Sequence, residues 1–133
     1  MLLVDTNVLV DVLEDDPQWA EWSAAQLRAQ AQVHELSINP VVYAELSLVF
    51  DSVSALDRAL HDMGLVLLEL PRPALFLAGR AFVKYRREGG RRSSVLADFF
   101  IGAHAAVLGC GILTRDARRY RHHFPRVPLI VPG

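Results

Sequence analysis

The sequence predicts an α/β fold, namely a three-layer α/β/α sandwich around a short, mainly parallel central sheet. Short apolar segments typical of strands alternate with longer segments typical of helices along the 133 residues. Parallel strands require long crossover connections, which are usually helices, so this alternation favours a parallel sheet covered by helices. The sequence contains no internal repeat, linker or low-complexity tract, and we therefore expect one domain spanning residues 1–133.

Residues 1–71 are predicted to contain three strands and four helices. The strands are the apolar runs Leu2–Val4, Leu36–Ile38 and 65–70. Asn7 and Asn39 are suited to cap the helices that follow the first two strands, because their short side chains accept bonds from free backbone N–H groups. The four helices are expected to end at about Leu13, Ala31, Phe50 and Met63.

Residues 72–133 are predicted to add three helices and two strands. A helix from Pro73 to about Arg87 is followed by a loop rich in glycine and arginine. The segment 95–108 is apolar nearly all round, which predicts a buried helix. The remaining elements are expected to be a strand at 112–113, a short helix near 117–122 and a strand at 129–131.

The composition indicates a folded protein in a reducing compartment. Hydrophobic residues make up 52% of the chain and charged residues 22%, which disfavours disorder. A single cysteine, Cys110, excludes an internal disulfide and a zinc cluster built on several thiolates. The N-terminus lacks the features of a secretory signal, and no apolar run reaches about 18 residues, so we expect no membrane contact and a cytoplasmic location.

Charge is distributed unevenly along the chain. Residues 1–71 carry 12 acidic and 2 basic side chains, whereas residues 72–133 carry 3 acidic and 12 basic ones. All but one of the basic residues are arginine, whose planar fork donates two hydrogen bonds to one phosphate. A basic half favours an anionic polymer as substrate. The alternative is that the two halves attract each other or a protein partner.

Four acidic residues lie at the ends of predicted strands or among the apolar residues of predicted helices, where a carboxylate without a partner is costly to bury. They are Asp5, Glu45, Asp98 and Asp116. Asp5 directly follows the first predicted strand, and Asp116 follows the fourth within three residues. Both therefore belong to the sheet edge where parallel α/β folds bind ligands. Glu45 has apolar neighbours at helical spacing, and Asp98 lies near the start of the most apolar helix.

Each carboxylate taken alone has an ordinary structural explanation. Glu45 is also compatible with the solvent-exposed rim of an apolar face, and Asp98 with a first-turn position that balances the helix dipole. Asp5 is also suited to accept backbone hydrogen bonds in a turn, and Asp116 to cap the next helix. All four together favour a shared ligand, because their predicted positions can face one end of one sheet.

A set of carboxylates without a histidine partner suits Mg²⁺ or Mn²⁺ better than zinc. Phosphate oxygens of a substrate can complete the coordination of such an ion, and one or two ions can promote phosphodiester cleavage. Asn7 and Thr114 are polar residues beside the carboxylates, and we expect them to hold a carboxylate or orient a water. Helix capping by Asn7 and an ordinary strand-end hydroxyl at Thr114 are the alternatives.

Four segments together resemble the motifs of PIN-domain ribonucleases. They read VDTNVL at residues 4–9, NP at 39–40 followed by EL at 45–46, ADFFIGAHA at 97–105 and LTRD at 113–116. Their order and spacing are similar to those of the family over essentially the whole chain, and the size resembles the toxin component of VapBC toxin–antitoxin pairs. The Asn39-Pro40 step departs from the family, in which Ser or Thr often precedes the glutamate helix.

The resemblance implies a PIN-like fold and a metal-dependent endoribonuclease, usually a homodimer, that a cognate antitoxin holds inactive. It implies that the catalytic, metal-binding residues are Asp5, Glu45, Asp98 and Asp116, with Asn7 and Thr114 in support. The metal would be Mg²⁺ or Mn²⁺.

Two arginines, Arg92 and Arg115, are expected near the cleaved RNA bond, because they precede Asp98 and Asp116 closely in the chain. The main alternative to a nuclease is a non-catalytic RNA-binding module that uses the arginines alone. A second alternative is a phosphatase with Asp5 as nucleophile. Such enzymes resemble a pattern with a second aspartate at the position that Asn7 occupies here.

Overall fold

Five parallel strands form the central sheet of the computed structural model, which describes residues 1–91 and 96–133. The strands are β1 (Leu2–Val4), β2 (Leu36–Ile38), β3 (Val66–Leu67), β4 (Gly111–Leu113) and β5 (Leu129–Ile130). Their order across the sheet is β3-β2-β1-β4-β5, and every neighbouring pair is parallel. The chain first builds on one side of β1 and later returns to the other side. The strand order therefore reverses between β1 and β4, which is where ligands bind in sheets of this kind.

Helices cover both faces of the sheet. Those in the described residues are α1 (Thr6–Leu13), α2 (Ala20–Ala31), α3 (Pro40–Leu46), α4 (Val53–Asp62), α5 (Arg72–Arg87), α6 (Leu96–Leu108) and α7 (Ala117–His123). Leu2, Leu3 and Val4 of β1 are all buried, although consecutive strand residues point to opposite faces. Both faces are thus packed against helices, which confirms the predicted α/β class. No helix among the described residues has the length and apolar character needed to cross a bilayer.

The first helix begins earlier than the sequence predicts. Asp5, and not Asn7, is its N-cap, and the Asp5 carboxylate accepts a hydrogen bond of 2.8 Å from the backbone N–H of Thr6. Asn7 therefore lies inside the first turn of α1. Its side chain bonds instead to the segment that follows β4, at Thr114 and Arg115. The cap prediction for Asn7 was wrong because the aspartate before it satisfies the helix end.

Other element boundaries differ by a few residues. α2 starts at Ala20, because the Asp16 carboxylate accepts the backbone N–H groups of Gln18 and Trp19 in a turn before it. α3 ends at Leu46 and passes into a 3₁₀ turn at Ser47–Val49. β3 keeps only two residues, both exposed, as is usual for a strand at a sheet edge. Asn39 caps α3 as predicted, through two bonds of 3.0 Å.

Helices α6 and α7 approach each other closely at Gly102. A Cβ atom at Gly102 would lie 2.3 Å from Cδ2 of the Phe124 ring, so a larger residue would force repacking. Phe124 ends α7, and its ring packs directly on the α6 backbone at this point. The close approach brings Arg119 of α7 within hydrogen-bonding distance of Asp98 on α6.

Candidate active site

Asp5 lies at the carboxyl end of β1, buried, with 3% of its surface exposed. One carboxylate oxygen accepts the Thr6 N–H, and the other, Oδ2, accepts the hydroxyl groups of Thr114 and Tyr120, each at 2.8 Å. Burial raises the pKa of Asp5, and the hydrogen bonds from Thr114 and Tyr120 oppose this shift. Asp5 is therefore a carboxylate fixed in position by three donors from three different parts of the chain.

Thr114, at the end of β4, is the centre of the hydrogen-bond network at this edge. It is fully buried, and its hydroxyl donates to Asp5. The same oxygen accepts the backbone N–H of Asp116 at 3.0 Å and the Asn7 side-chain amide at 3.4 Å. The other end of the Asn7 amide accepts the backbone N–H of Arg115 at 3.2 Å. Asn7 and Thr114 thus join the ends of β1 and β4 across the point where the strand order reverses.

Glu45 is half-buried on α3 and is bonded to the first turn of α1. The hydroxyl of Thr6 donates a hydrogen bond of 2.6 Å to Oε1 of Glu45. This contact brings a residue of α3 to the edge where Asp5 lies, because Thr6 directly follows Asp5. The apolar face predicted around Glu45 is only partly buried: Val42 lies in the core, whereas Leu48 is 85% exposed, because the helix ends before it.

Asp98 lies in the first turn of α6 with 13% of its side chain exposed. Its pKa is raised to about 6, mainly by burial. The guanidinium of Arg119 opposes the rise, and the negative charges of Asp5 and Glu45 contribute to it. The structure therefore brings Asp5 and Glu45 close enough to Asp98 for each of their charges to act on it.

Asp116 is joined to this group through Arg119. The Arg119 side chain contacts Asp116 Oδ2 through Nε at 2.9 Å and donates from Nη1 to Asp98 Oδ1 at 3.2 Å. Asp116 occupies the N-cap position of α7, but its side chain makes no capping bond, and 41% of it is exposed. Burial alone would lower the pKa of Arg119, but Asp98, Asp116 and Asp5 raise it.

The donor chemistry of this edge fits a hard divalent cation, since the side chains offer carboxylate oxygens and the mutual repulsion favours a positive ligand. Their present spacing differs from that of a metal cage. Within residues 1–91 and 96–133, no three His, Cys, Asp or Glu side chains are arranged to hold a metal ion as they stand. Arg119 contacts one oxygen of Asp98 and one of Asp116 in this arrangement.

Of the two arginines expected near RNA, Arg92 lies outside the described residues and Arg115 is largely engaged within the protein. Arg115 donates from Nε and Nη2 to the two oxygens of Asp11, at 2.6 and 2.9 Å. Its guanidinium also lies over the Trp19 ring, 5.3 Å from the centroid. Asp11 is buried on α1 and accepts a further bond from the Ser23 hydroxyl on α2. The pair therefore ties α1 and α2 to the loop after β4.

The predicted set of site residues did not include Thr6, Asp11, Arg119 or Tyr120, although each makes a hydrogen bond within this network. A signal was present for Tyr120, the only large apolar side chain within the basic helix α7 (ARRYRHH). It had to face the core, and the core here adjoins the ends of β1 and β4. No comparable signal marked Arg119 among the other arginines of α7, because only the crossing of α6 and α7 distinguishes it.

Solved structures with a similar fold include VapBC complexes and a toxin–antitoxin complex from Klebsiella pneumoniae. A chain in the crystal structure of VapBC2 from Rickettsia felis, bound to a DNA fragment from the promoter, aligns with a TM-score of 0.73 and 17% identity, covering 99% of this chain and 98% of that one. DNA-bound VapBC from Salmonella typhimurium gives a TM-score of 0.71 and 17% identity, with coverage of 98% and 96%. FitAcB from Neisseria gonorrhoeae aligns with a TM-score of 0.67 and 21% identity, covering 98% of this chain and 96% of that one. At these identities the likeness establishes the fold.

Comparison of sequences gives the family. No protein of curated function matches the chain. The family profile described as the PIN domain matches residues 2–125, nearly the whole length, and includes all four carboxylates of the site. The fold and this match agree with the resemblance in the motifs, and the chain belongs to the PIN-domain family.

Proposed function

We propose that this chain is a metal-dependent endoribonuclease, formed by a single nuclease domain over residues 1–133, and the toxin of a type II toxin–antitoxin pair. The observation that carries the proposal is the grouping of three carboxylates at one sheet edge. Asp5 and Glu45 lie near enough to Asp98 to raise its pKa. Repulsion of this kind favours the binding of a hard cation. Nuclease chemistry is also typical of the PIN family.

The residues that would hold Mg²⁺ or Mn²⁺ are Asp5, Glu45, Asp98 and Asp116. When bound, such an ion supplies Lewis-acid stabilisation of the reacting phosphate and a nucleophile derived from water. The protein contributes fixed positions for the carboxylates. Thr114 and Tyr120 hold Asp5, Thr6 holds Glu45, and Thr114 also holds the backbone of Asp116. Hydrogen bonds of this kind limit how far the ligands must move when an ion binds.

A basic surface beside the carboxylates supports RNA as the substrate. Lys84 and Arg87 are exposed at the C-terminal end of α5. This end adjoins α7, because the Tyr85 and His123 rings pack together with centroids 5.5 Å apart. Arg121 of α7 is exposed as well. Together these cations are suited to bind successive phosphates of a chain that passes the carboxylate edge.

We also propose RNA contacts for Arg92 and Arg115 near the cleaved bond. For Arg115 the contact is limited by its pairing, since Nε and Nη2 already donate to Asp11. Its side chain is 29% exposed, and Nη1 takes no part in the pairing with Asp11, so a phosphate could still be bound through it. Arg115 therefore acts first as a link between α1 and the loop after β4, and a role in binding RNA would be added to that.

As partners we propose a cognate antitoxin protein and a second copy of the chain, acting in the cytoplasm. The solved structures with this fold are described as VapBC and other toxin–antitoxin complexes, which supports the antitoxin. Exposed apolar side chains support contact with another protein, notably Leu48 at 85% exposure and Val53 at 68%. Light scattering tests the dimer, which requires twice the chain mass of 14.8 kDa.

The experiment is cleavage of total cellular RNA by the purified, antitoxin-free protein with Mg²⁺, with Mn²⁺ or with EDTA. The variant is Asp98→Asn, and the matched control is Asp51→Asn, which removes an exposed carboxylate between α3 and α4. We expect discrete RNA fragments that require the metal, disappear in Asp98→Asn and persist in Asp51→Asn.

Two other results would contradict the nuclease, and a third would contradict its proposed site. Binding of RNA without cleavage, unchanged by EDTA or by Asp98→Asn, would indicate the non-catalytic RNA-binding module. Hydrolysis of small phosphate esters but not of RNA would indicate the phosphatase. Equal cleavage by Asp98→Asn and the parent protein would show that these carboxylates are not the catalytic site.

A further inference from the structure

We propose that Arg119 is the resident counter-ion of the metal site and a phosphate-binding residue of the reaction. In the metal-free protein it pairs with Asp98. When a divalent cation binds, it leaves Asp98, stays anchored on Asp116, and binds the phosphate that is cleaved. The inference rests on the proposed function and concerns a residue that lies outside the four sequence motifs.

The contacts of Arg119 place it between two proposed metal ligands. Nη1 donates to Asp98 Oδ1 at 3.2 Å, and Nε contacts Asp116 Oδ2 at 2.9 Å. The charge of Asp5 also acts on the guanidinium. Arg119 therefore provides, in the metal-free protein, the positive charge that the carboxylates would otherwise lack.

A guanidinium and a divalent cation compete for Asp98. Arginine stays protonated in proteins, so Arg119 cannot make room by losing its charge. Two cations that share one carboxylate repel each other. This repulsion is strong at Asp98, which is only 13% exposed, and is weaker at Asp116, which is 41% exposed and therefore better screened by water. Displacement of the guanidinium from Asp98 is the way to relieve it, since the α6 backbone fixes the position of the aspartate.

Arg119 has both the room and the anchor for such a movement. Half of its side chain is exposed, and the contact with Asp116 lies nearer the solvent, because Asp116 is 41% exposed and Asp98 only 13%. A cavity of about 50 Å³ beside the pair is lined by Asp98, Arg119 and the rings of Tyr85, Phe99, His123 and Phe124. The guanidinium can therefore turn away from Asp98 while its Nε contact with Asp116 is kept.

Once released, the guanidinium presents free N–H donors at the edge where the RNA phosphate would lie. Arginine binds phosphate with two parallel hydrogen bonds, and a donor placed at a developing negative charge lowers the barrier. Asp116 would then contribute to catalysis partly through Arg119, because it would hold the Arg119 guanidinium near the metal ion. This role explains why an exposed aspartate at a helix N-cap makes no capping bond.

The test compares Mn²⁺ affinity and RNA cleavage among the parent protein, Arg119→Gln, Arg119→Lys and Arg118→Gln. Arg118 is an exposed neighbour on the same helix and makes no ion pair with the described residues, so it controls for the loss of a positive charge from α7. Isothermal titration calorimetry of the metal-free proteins gives the affinity. Single-turnover cleavage at saturating Mn²⁺ gives the rate.

We expect Arg119→Gln to bind Mn²⁺ more tightly, by roughly tenfold, because the competing cation is gone. At saturating metal it should still cleave RNA roughly 100-fold more slowly than the parent. Arg119→Lys should keep near-parent Mn²⁺ affinity with an intermediate rate, and Arg118→Gln should keep the parent's affinity. A residue that only supports the fold would show weaker metal binding when removed.

Equal or weaker Mn²⁺ binding by Arg119→Gln would overturn the competition between Arg119 and the metal. An unchanged cleavage rate at saturating Mn²⁺ would overturn the phosphate role. Either result leaves the proposed nuclease intact, provided that the parent binds Mn²⁺ and Asp98→Asn does not. Failure of the parent itself to bind Mn²⁺ would overturn the proposed function, and this inference with it.

Discussion

The hydroxyl of Tyr120 donates a hydrogen bond of 2.8 Å to Oδ2 of Asp5, although 115 residues separate the two in the chain. Tyr120 is fully buried on α7, and its pKa is raised well above the ordinary value by burial and by the neighbouring charge of Asp5. The hydroxyl therefore stays protonated and acts as a permanent donor. It links α7, which carries Arg119, to the carboxylate at the end of β1.

Tyr120→Phe should therefore weaken both the fold and the site. The lost hydrogen bond leaves Asp5 with one donor fewer in a buried position, which costs about 1–2 kcal/mol of unfolding free energy. Cleavage of RNA should fall, because Asp5 is less firmly placed. Tyr43→Phe is the matched control, since it removes a similar bond of 2.7 Å to Asp57 at the exposed surface. Urea unfolding and cleavage assays test both variants. Equal cleavage by Tyr120→Phe and the parent would contradict the positioning role.

Thr114→Val should be more damaging than its size suggests. The change keeps the shape of the side chain but removes the donor to Asp5 and the acceptor for the Asp116 N–H and the Asn7 amide. Buried groups left without partners cost about 1–3 kcal/mol. We expect a loss of stability and of RNA cleavage, with Thr114→Ser close to the parent in both. If Thr114→Ser fails as severely as Thr114→Val, packing of the methyl group and not the hydroxyl network is the important property.

Asp98 should make the metal-free protein less stable as the pH rises. Its pKa shifts from the ordinary 3.8 to about 6 in the folded protein, so the folded state holds this proton more tightly than the unfolded chain. Proton binding by Asp98 therefore stabilises the folded state. This stabilisation is fully present below about pH 4 and is lost as the pH rises through 6. Asparagine cannot ionise, so at pH 8 the metal-free Asp98→Asn variant should have a free energy of unfolding about 2–3 kcal/mol higher than that of the parent.

Urea unfolding in EDTA at pH 4.5, 6 and 8 measures this difference, with Asp51→Asn as control. The excess stability of Asp98→Asn should shrink towards the acidic end, and added Mn²⁺ should stabilise the parent but not the variant. A variant that is less stable than the parent at pH 8 would mean that pairing with Arg119 outweighs the cost of burying the Asp98 charge.

The buried pair of Asp11 and Arg115 should be important for stability. Asp11→Asn leaves the guanidinium, 29% exposed, without its charged partner and removes an acceptor from Ser23. We expect a loss of about 2–4 kcal/mol in unfolding free energy, since breaking a buried pair on one side strands the other charge. Asp62→Asn, in a surface contact with His61, should have little effect. If Asp11→Asn changes the free energy of unfolding only slightly, packing and not the ion pair holds α1 and α2 against the loop after β4.

The fold was predictable because strand and helix patterns are local. β1, β2 and β4 read as apolar runs bounded by polar residues, and the positions of Asp5 and Thr114 followed directly from the ends of those strands. Cap chemistry was less predictable, since Asp5 and Asn7 are both good caps and only the end of β1 decides between them. The four candidate carboxylates were chosen from their positions after strands and within apolar helices, and the order of the motifs agreed with that choice.

The network between the carboxylates could not be read from the chain. Contacts of Tyr120 with Asp5, of Arg119 with Asp98 and of Arg115 with Asp11 each join residues more than 20 positions apart. These contacts depend on how closely α6 approaches α7 and how α1 lies against β4. Composition showed an arginine-rich second half, but which arginine meets a carboxylate and which meets solvent is decided by helix packing.

Anomalous diffraction from crystals soaked in Mn²⁺ tests the metal site itself. We expect an anomalous peak within bonding distance of Asp5 and Asp98, with the Arg119 guanidinium moved off Asp98. No peak at this edge, with Arg119 still bridging Asp98 and Asp116 at high Mn²⁺ concentration, would contradict a metal-dependent active site here.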